Sequence, residues 1–334
     1  MRRFWTLLLP AAVLVAGLLA RGAHAHEGDD HEHEGDLKSR VTIKAEGDRR
    51  VIEANGLPDH KPGQFPNRGN PNEISAQKYR FEMPLKPTAA GELRPLRGNL
   101  FGIAVNGVVF DPGTAEIWQP GDKILSRPGP GTRMGPGVDR SKMWNYQGMG
   151  RMNLGIDSSH AHVQPTGAYH YHGLPTGLVD RLRKEQGSDK MLLIGYAADG
   201  FPFYAEYGYE KADDAKSPLK KLSSSYHMKK GNRPTGEKGP GGKYDGTFEQ
   251  DFEFVEGSGD LDKANGRTGV TPEYPEGTYY YVATADYPYI PRFFHGTPDR
   301  SFEKRMGPPP GGLDGPRGRR GPPGRPSRRP PPPE

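Results

Sequence analysis

The chain contains no cysteine. Disulfides, thiolate metal ligands and cysteine nucleophiles are therefore excluded, and stability must come from the core. Apolar residues are also sparse, at 33% of 334. The most apolar run, Leu7 to Leu19, falls short of the roughly 20 residues a membrane helix needs. There is no Walker loop, no Gly-x-Gly-x-x-Gly before a helix, no Gly-x-Ser-x-Gly elbow and no His-Glu-x-x-His. Phosphoryl transfer and nucleotide redox chemistry are disfavoured on those grounds.

What is present in quantity is glycine, 47 residues, and proline, 35. These punctuate a chain into short strands and turns, and leave little room for long helices. The stretches 41–44, 50–54, 78–83, 191–196, 252–255 and 279–283 read as strands. Residues 100–110 read as a hairpin turning at Asn106-Gly107. Residues 57–71 and 126–142 read as Pro/Gly-rich loops. One amphipathic helix is expected over 178–186, stopped by Gly187. The fold class is mainly β, or α+β with few helices: a single β-rich, sandwich-like domain with long Pro/Gly-rich loops and disordered tails.

The two ends differ from the body. Arg2 and Arg3, the apolar run and Ala23-His24-Ala25 have the form of a secretory signal over 1–25. The expected location is the periplasm or beyond, with no transmembrane segment after cleavage. Residues 26–36, HEGDDHEHEGD, make an acidic, His-rich leader. His26, His31 and His33 there suit metal scavenging or plain solvation. Residues 306–334 form a Pro/Gly/Arg-rich tail that cannot build a core, and whose arginines can meet anionic envelope polymers. Removing both ends leaves a body, 37–305, of modest positive charge, which argues against a nucleic-acid partner. The sequence does not fix the oligomeric state.

The densest chemistry lies at His160-Ala161-His162 and His170-Tyr171-His172, separated by Gln164-Pro165-Thr166-Gly167. Alternate strand residues share a face, so each His-x-His pair puts both rings on one side. Pro165 suits the first corner of a type I turn, and Gly167 the left-handed residue after it. That odd loop pairs Gln164 with Ala168, His162 with His170 and His160 with His172. Facing Cβ atoms lie about 4.5–5.5 Å apart, within reach of one ion at bonds of about 2.0–2.1 Å. A loop one residue shorter would send the pairs to opposite faces. Imidazole suits zinc, copper, iron and nickel, so a transition metal, zinc or copper foremost, is the expected cofactor. A metal-free, pH-sensitive cluster is the alternative. Methionines at 143, 149 and 152 are adaptable packing, or soft ligands for Cu(I).

The run AHVQPTGAYHYHG from Ala161 resembles the YHYH protein family, named for the motif at Tyr169 to His172. Similar segments are Asn55 to His60, FGIAVNGVVFDPGTAEIW from Phe101, Ala198 to Pro202, Tyr244 to Phe248, Leu261 to Gly269 and TPEYPEGTYYYV from Thr271. The resemblance spans roughly residues 50–302. It implies an exported protein with a shared fold and site, and no particular reaction. It also implies asparagine in relatives at the position of His160, which leaves His162, His170 and His172 as the firm ligands. His60, in a loop the family shares, is the remote candidate ligand. Asp199 and Asp286 are candidate supporting carboxylates or a general base, set against ordinary turn roles for Asp. Asp260, Asp262 and Asn265 faintly resemble a calcium loop.

Three uses of such a site follow. The first is non-catalytic metal binding or buffering in the cell envelope. The second is a metal-dependent hydrolase or oxidoreductase with an exchangeable water on the ion. The third is an envelope interaction module with structural histidines.

Overall fold

The computed structural model describes residues 38–126 and 142–304. The expected signal peptide, leader and C-terminal tail lie outside these residues, as does most of the 126–142 loop. The described residues are β-rich, with one α-helix, Thr176–Gln186, among them.

Eight short strands make the main sheet. In spatial order they are Gly266–Gly269, Thr278–Val282, Pro202–Tyr204, Leu193–Ala197, Gly102–Ala104, Val109–Phe110, Tyr169–Tyr171 and Ala161–Val163. Two neighbouring pairs are parallel, Pro202–Tyr204 with Thr278–Val282 and Val109–Phe110 with Tyr169–Tyr171. The other neighbours are antiparallel. The Asn106-Gly107 hairpin forms where the sequence puts it. Gly107 is left-handed at φ 84°, and its N–H closes the turn on the Ala104 carbonyl at 2.8 Å. Pro202 opens a strand, and first position in a strand is where a residue without N–H fits.

A second sheet of three antiparallel strands, Val41–Glu46, Arg49–Ala54 and Tyr79–Pro84, shares the main core. Its inner face gives Ile52, Phe81 and Met83 to the cluster that contains Ile103, Phe110, Tyr171 and Phe203. Its outer face carries Lys44, Glu46, Glu53, Arg80 and Glu82 as a solvated ladder of ion pairs. Solvent screens such exposed pairs, so burial of the inner face holds this sheet. The helix buries Leu178, Val179 and Leu182 in the same core and ends at Gly187 as expected.

The core is aromatic. Phe101 packs edge-on against Phe203 and Tyr281, with centroids 5.0 and 5.1 Å apart, and Phe110 does the same to Phe203 at 4.9 Å. Edge-to-face pairs add about 0.5–1.5 kcal/mol beyond area burial. With no cysteine available, these contacts do the work that disulfides do in cross-linked proteins. A smaller cluster joins Trp118, Trp144, Tyr146, Met152, Leu154 and Phe248. It packs next to the histidine hairpin through Leu154, whose carbonyl meets His162.

Candidate metal centre

The Ala161–Val163 and Tyr169–Tyr171 strands form a hairpin at the edge of the main sheet. Its register pairs His162 with His170, Tyr169 with Val163 and Tyr171 with Ala161. The turn is the odd one. Gly167 N–H bonds to the Gln164 carbonyl at 2.8 Å, and Gln164 N–H to the Ala168 carbonyl at 3.0 Å. Gly167 sits at φ 82°, the left-handed position the sequence reserves for it.

Three histidines converge on one face. His170 Nε2 and His172 Nε2 are 3.0 Å apart, and His172 Nε2 and His162 Nε2 are 3.1 Å apart. Ring nitrogens on a tetrahedral ion with bonds of about 2.0–2.1 Å lie about 3.3–3.4 Å apart, so these two separations are within a few tenths of an ångström of those on a shared ion, and the three ligand nitrogens all lie within 4.8 Å of one another. His170 and His172 are buried, at 2% and 1% exposure, and His162 is partly exposed. The open side of the cluster is therefore at His162.

The far ring nitrogens fix the near ones. His162 Nδ1 lies 2.9 Å from the Leu154 carbonyl, and His170 Nδ1 3.1 Å from the Ala168 carbonyl. A carbonyl only accepts, so both Nδ1 atoms carry the proton, and both Nε2 lone pairs face inward. A ligating histidine with its other N–H on a backbone carbonyl is the common support in metal sites. His172 differs: its Nδ1 is buried without a partner. It faces Gly148, where a Cβ would collide with that nitrogen, so glycine is required there for the ring to seat.

Burial holds all three rings neutral, the form that ligates. Desolvation lowers the pKa of His162; it lowers that of His170 to about 3, with help from the neighbouring His162. His172 is pushed well below the ordinary value by burial and then by His162 and His170. Asp111 draws the other way on His162 and His170. Its buried carboxylate accepts from Lys304 Nζ at 2.5 Å and from the Gln164 side chain at 3.2 Å.

The structure does not bring His160 or His60 to the cluster. Asp157 explains His160. Its carbonyl accepts from His160 N–H at 3.0 Å, and its carboxylate accepts from Ser159 and Ala161 N–H at 2.8 and 3.2 Å. This turn puts His160 at φ 55°, so strand alternation starts one residue later, and its Nδ1 bonds the Leu174 carbonyl at 2.8 Å. The backbone still pairs as expected, His172 N–H to the His160 carbonyl at 2.7 Å, while the side chain leaves the face. His60 sits behind the hairpin, its Nε2 2.8 Å from the Tyr171 hydroxyl. Strand alternation puts Tyr171 on the face opposite His170.

The remaining candidates have local partners. Asp199 is buried and accepts from Tyr281 Oη at 2.5 Å and Gly296 N–H at 2.8 Å, and burial raises its pKa to about 6. Asp286 is exposed and its carbonyl accepts from Tyr289 N–H. Asp260 pairs with Lys220, Asp262 accepts from Ala264 and Gly266 N–H, and Asn265 donates to the Val282 carbonyl. The Asp262 bonds tie a turn, while the Asp260 and Asn265 bonds join segments farther apart in the chain. Met143 and Met152 are buried, the latter in the tryptophan cluster. Asp111 and Asp157 support the hairpin without a part in the sequence reading, and Asn106, read there only as a turn residue, supports it through the Tyr171 hydroxyl. Asp157, two residues before Ser159 in a run entering a strand, carries the one readable signal, an Asx turn.

Comparison with curated proteins gives no match, and comparison with solved structures gives none either. The family model described as YHYH protein matches residues 80–296, which include every histidine of the cluster. The chain belongs to the YHYH protein family.

Proposed function

We propose that this protein binds a transition metal ion, zinc or copper, through His162, His170 and His172, and that it holds or buffers the ion in the cell envelope. The observation that carries this reading is the convergence of three neutral Nε2 atoms at 3.0 and 3.1 Å, with two of the rings oriented by backbone carbonyls. Two inward lone pairs at that spacing repel unless a proton or a cation lies between them. The envelope location rests on the signal-like residues 1–25, and the acidic, His-rich leader suits capture of the same ions. The Arg-rich tail would hold the chain near anionic polymers. Use of the ion for hydrolysis or oxidation is the alternative, favoured by the partly exposed His162, which leaves a path for an exchangeable ligand.

The test uses the full chain with His24, His26, His31 and His33 changed to Ala, so that the leader contributes nothing. Elemental analysis and titration should give one ion per chain at submicromolar affinity, lost in His162→Ala plus His170→Ala. A protein that binds none of Zn(II), Cu(I), Cu(II) or Fe(II) more tightly than micromolar rules the reading out. The triad would then be a hydrogen-bonded cluster sharing the His172 proton.

A further inference from the structure

The Tyr169–Tyr171 strand is constrained on both faces. The wholly buried Tyr171 hydroxyl meets His60 Nε2 at 2.8 Å and Asn106 Nδ2 at 3.0 Å. An amide nitrogen only donates, so the hydroxyl accepts from Asn106, and its own proton goes to His60 Nε2, the one partner that can accept it. His60 then carries its proton on Nδ1, 3.3 Å from the Lys61 carbonyl. Asn106 Nδ2 also donates to Asp59 at 2.8 Å, and Asp59 pairs with Arg181 on the helix at 2.8 Å. Tyr169 is tied down in parallel, its hydroxyl donating to Asp157 at 2.7 Å. The His60 ring also lies along the Tyr171 ring, 27° from parallel with centroids 6.0 Å apart.

We propose that His60 is a positioning residue for the histidine triad, acting through the Tyr171 hydroxyl. This rests on metal binding by the triad. Tyr171 stands between His170 and His172 in the chain, so any rotation of the strand about its axis swings both rings together. The Nε2 separations to His172 from His170 and from His162 are within a few tenths of an ångström of those on a shared ion, and a free rotation of the strand would squander that preorganisation. The hydrogen bond from Tyr171 to His60, with Asn106 bracing it, limits the rotation from behind. His60 itself never touches the ion.

The leader-substituted full chain is titrated with Co(II), whose visible absorption reports ligand number and geometry. His60→Ala and Tyr171→Phe are expected to weaken binding on the order of tenfold and to shift the absorption band. His60→Gln, whose side-chain oxygen still accepts the Tyr171 proton, recovers most of both. Ile52→Val, a comparable loss of core packing away from the hairpin, keeps the parent band and affinity, so a general loss of stability does not mimic the effect. If the parent binds Co(II) and both His60→Ala and Tyr171→Phe match it, the positioning role is overturned while metal binding stands. If the parent binds none, metal binding fails and the positioning role with it. Should His60→Ala not fold, Tyr171→Phe, which removes a single oxygen, decides.

Discussion

His172 is the pivotal residue of the triad. It faces two inward lone pairs, on His162 and His170, and its own Nδ1 has no partner. In the metal-free protein its proton therefore belongs on Nε2, between two acceptors. An ion on Nε2 would drive that proton to Nδ1, so ¹⁵N spectra should show the His172 tautomer exchanging on zinc addition while His162 and His170 keep theirs. An unchanged His172 pattern in the zinc-bound protein would contradict this. His170 makes a second prediction. The folded protein holds its pKa at about 3, whereas the unfolded chain takes up a proton near 6.5. Its contribution to stability is present above the unfolded value and lost as pH falls toward the folded one. Asp199 acts with opposite sign, its contribution full below 3.8 and lost as pH rises through about 6. Comparing metal-free wild type with His170→Gln cancels Asp199. The stability difference should shift toward the variant between about pH 7 and about pH 5. A difference flat in pH would mean that burial does not perturb His170.

At the scale of the hairpin, one residue sets the face of every other. Gly167 at φ 82° closes the odd loop, and a side chain there would be strained and would also strike Ser75. Gly167→Ala should lower stability by about 1–2 kcal/mol in urea unfolding. A variant as stable as the parent would show that the turn does not hold the register. This element was legible in the sequence, because turn type depends on residues within a few positions of Pro165 and Gly167. His160 was not. Its departure from the strand face depends on φ 55°, set by an Asp157 turn whose carboxylate also bonds Gly63 and Tyr169. Alternation is a property of extended backbone, and it stops where the backbone does. The helix and the Asn106-Gly107 hairpin were legible for the reason the loop was, while two-residue strands such as Ile117–Trp118 and Trp144–Asn145 are too short to show a period.

Across the whole molecule, short strands without disulfides put weight on a few buried polar ties. Arg233 and Asp251 form the most buried ion pair described, with side chains 2% and 0% exposed. Asp251 accepts from Arg233 Nε at 2.7 Å and Nη2 at 2.6 Å, and from Gly246 and Phe248 N–H. This carboxylate gathers a segment with little regular structure around the tryptophan cluster. Arg233→Met leaves the charge buried and unpaired, and should cost about 3–5 kcal/mol in guanidinium unfolding. A loss below about 1 kcal/mol would mean that water reaches Asp251 and replaces the pair. Lys304 and Asp111 make a similar tie beside the histidine hairpin, at the last described residue of the body. Among the described residues no helix is long and apolar enough to cross a membrane.

Near neighbours along the chain fix the local and the categorical. Absence of cysteine removed a whole chemistry, Gly and Pro imposed short strands, and Pro165 with Gly167 imposed a register that puts His162 opposite His170. These follow from backbone sterics among near neighbours. Which histidines keep company is settled by packing between distant segments. His172 seats against Gly148, His60 reaches Tyr171 from behind, and His160 turns to Leu174, through contacts between segments far apart in the chain or rings that alternation alone does not aim. A four-histidine clamp became a three-histidine cluster, buried at His170 and His172 and open at His162, with a rear anchor. Register follows from the turn, but the direction and charge state of each ring follow from what the rest of the chain packs around it.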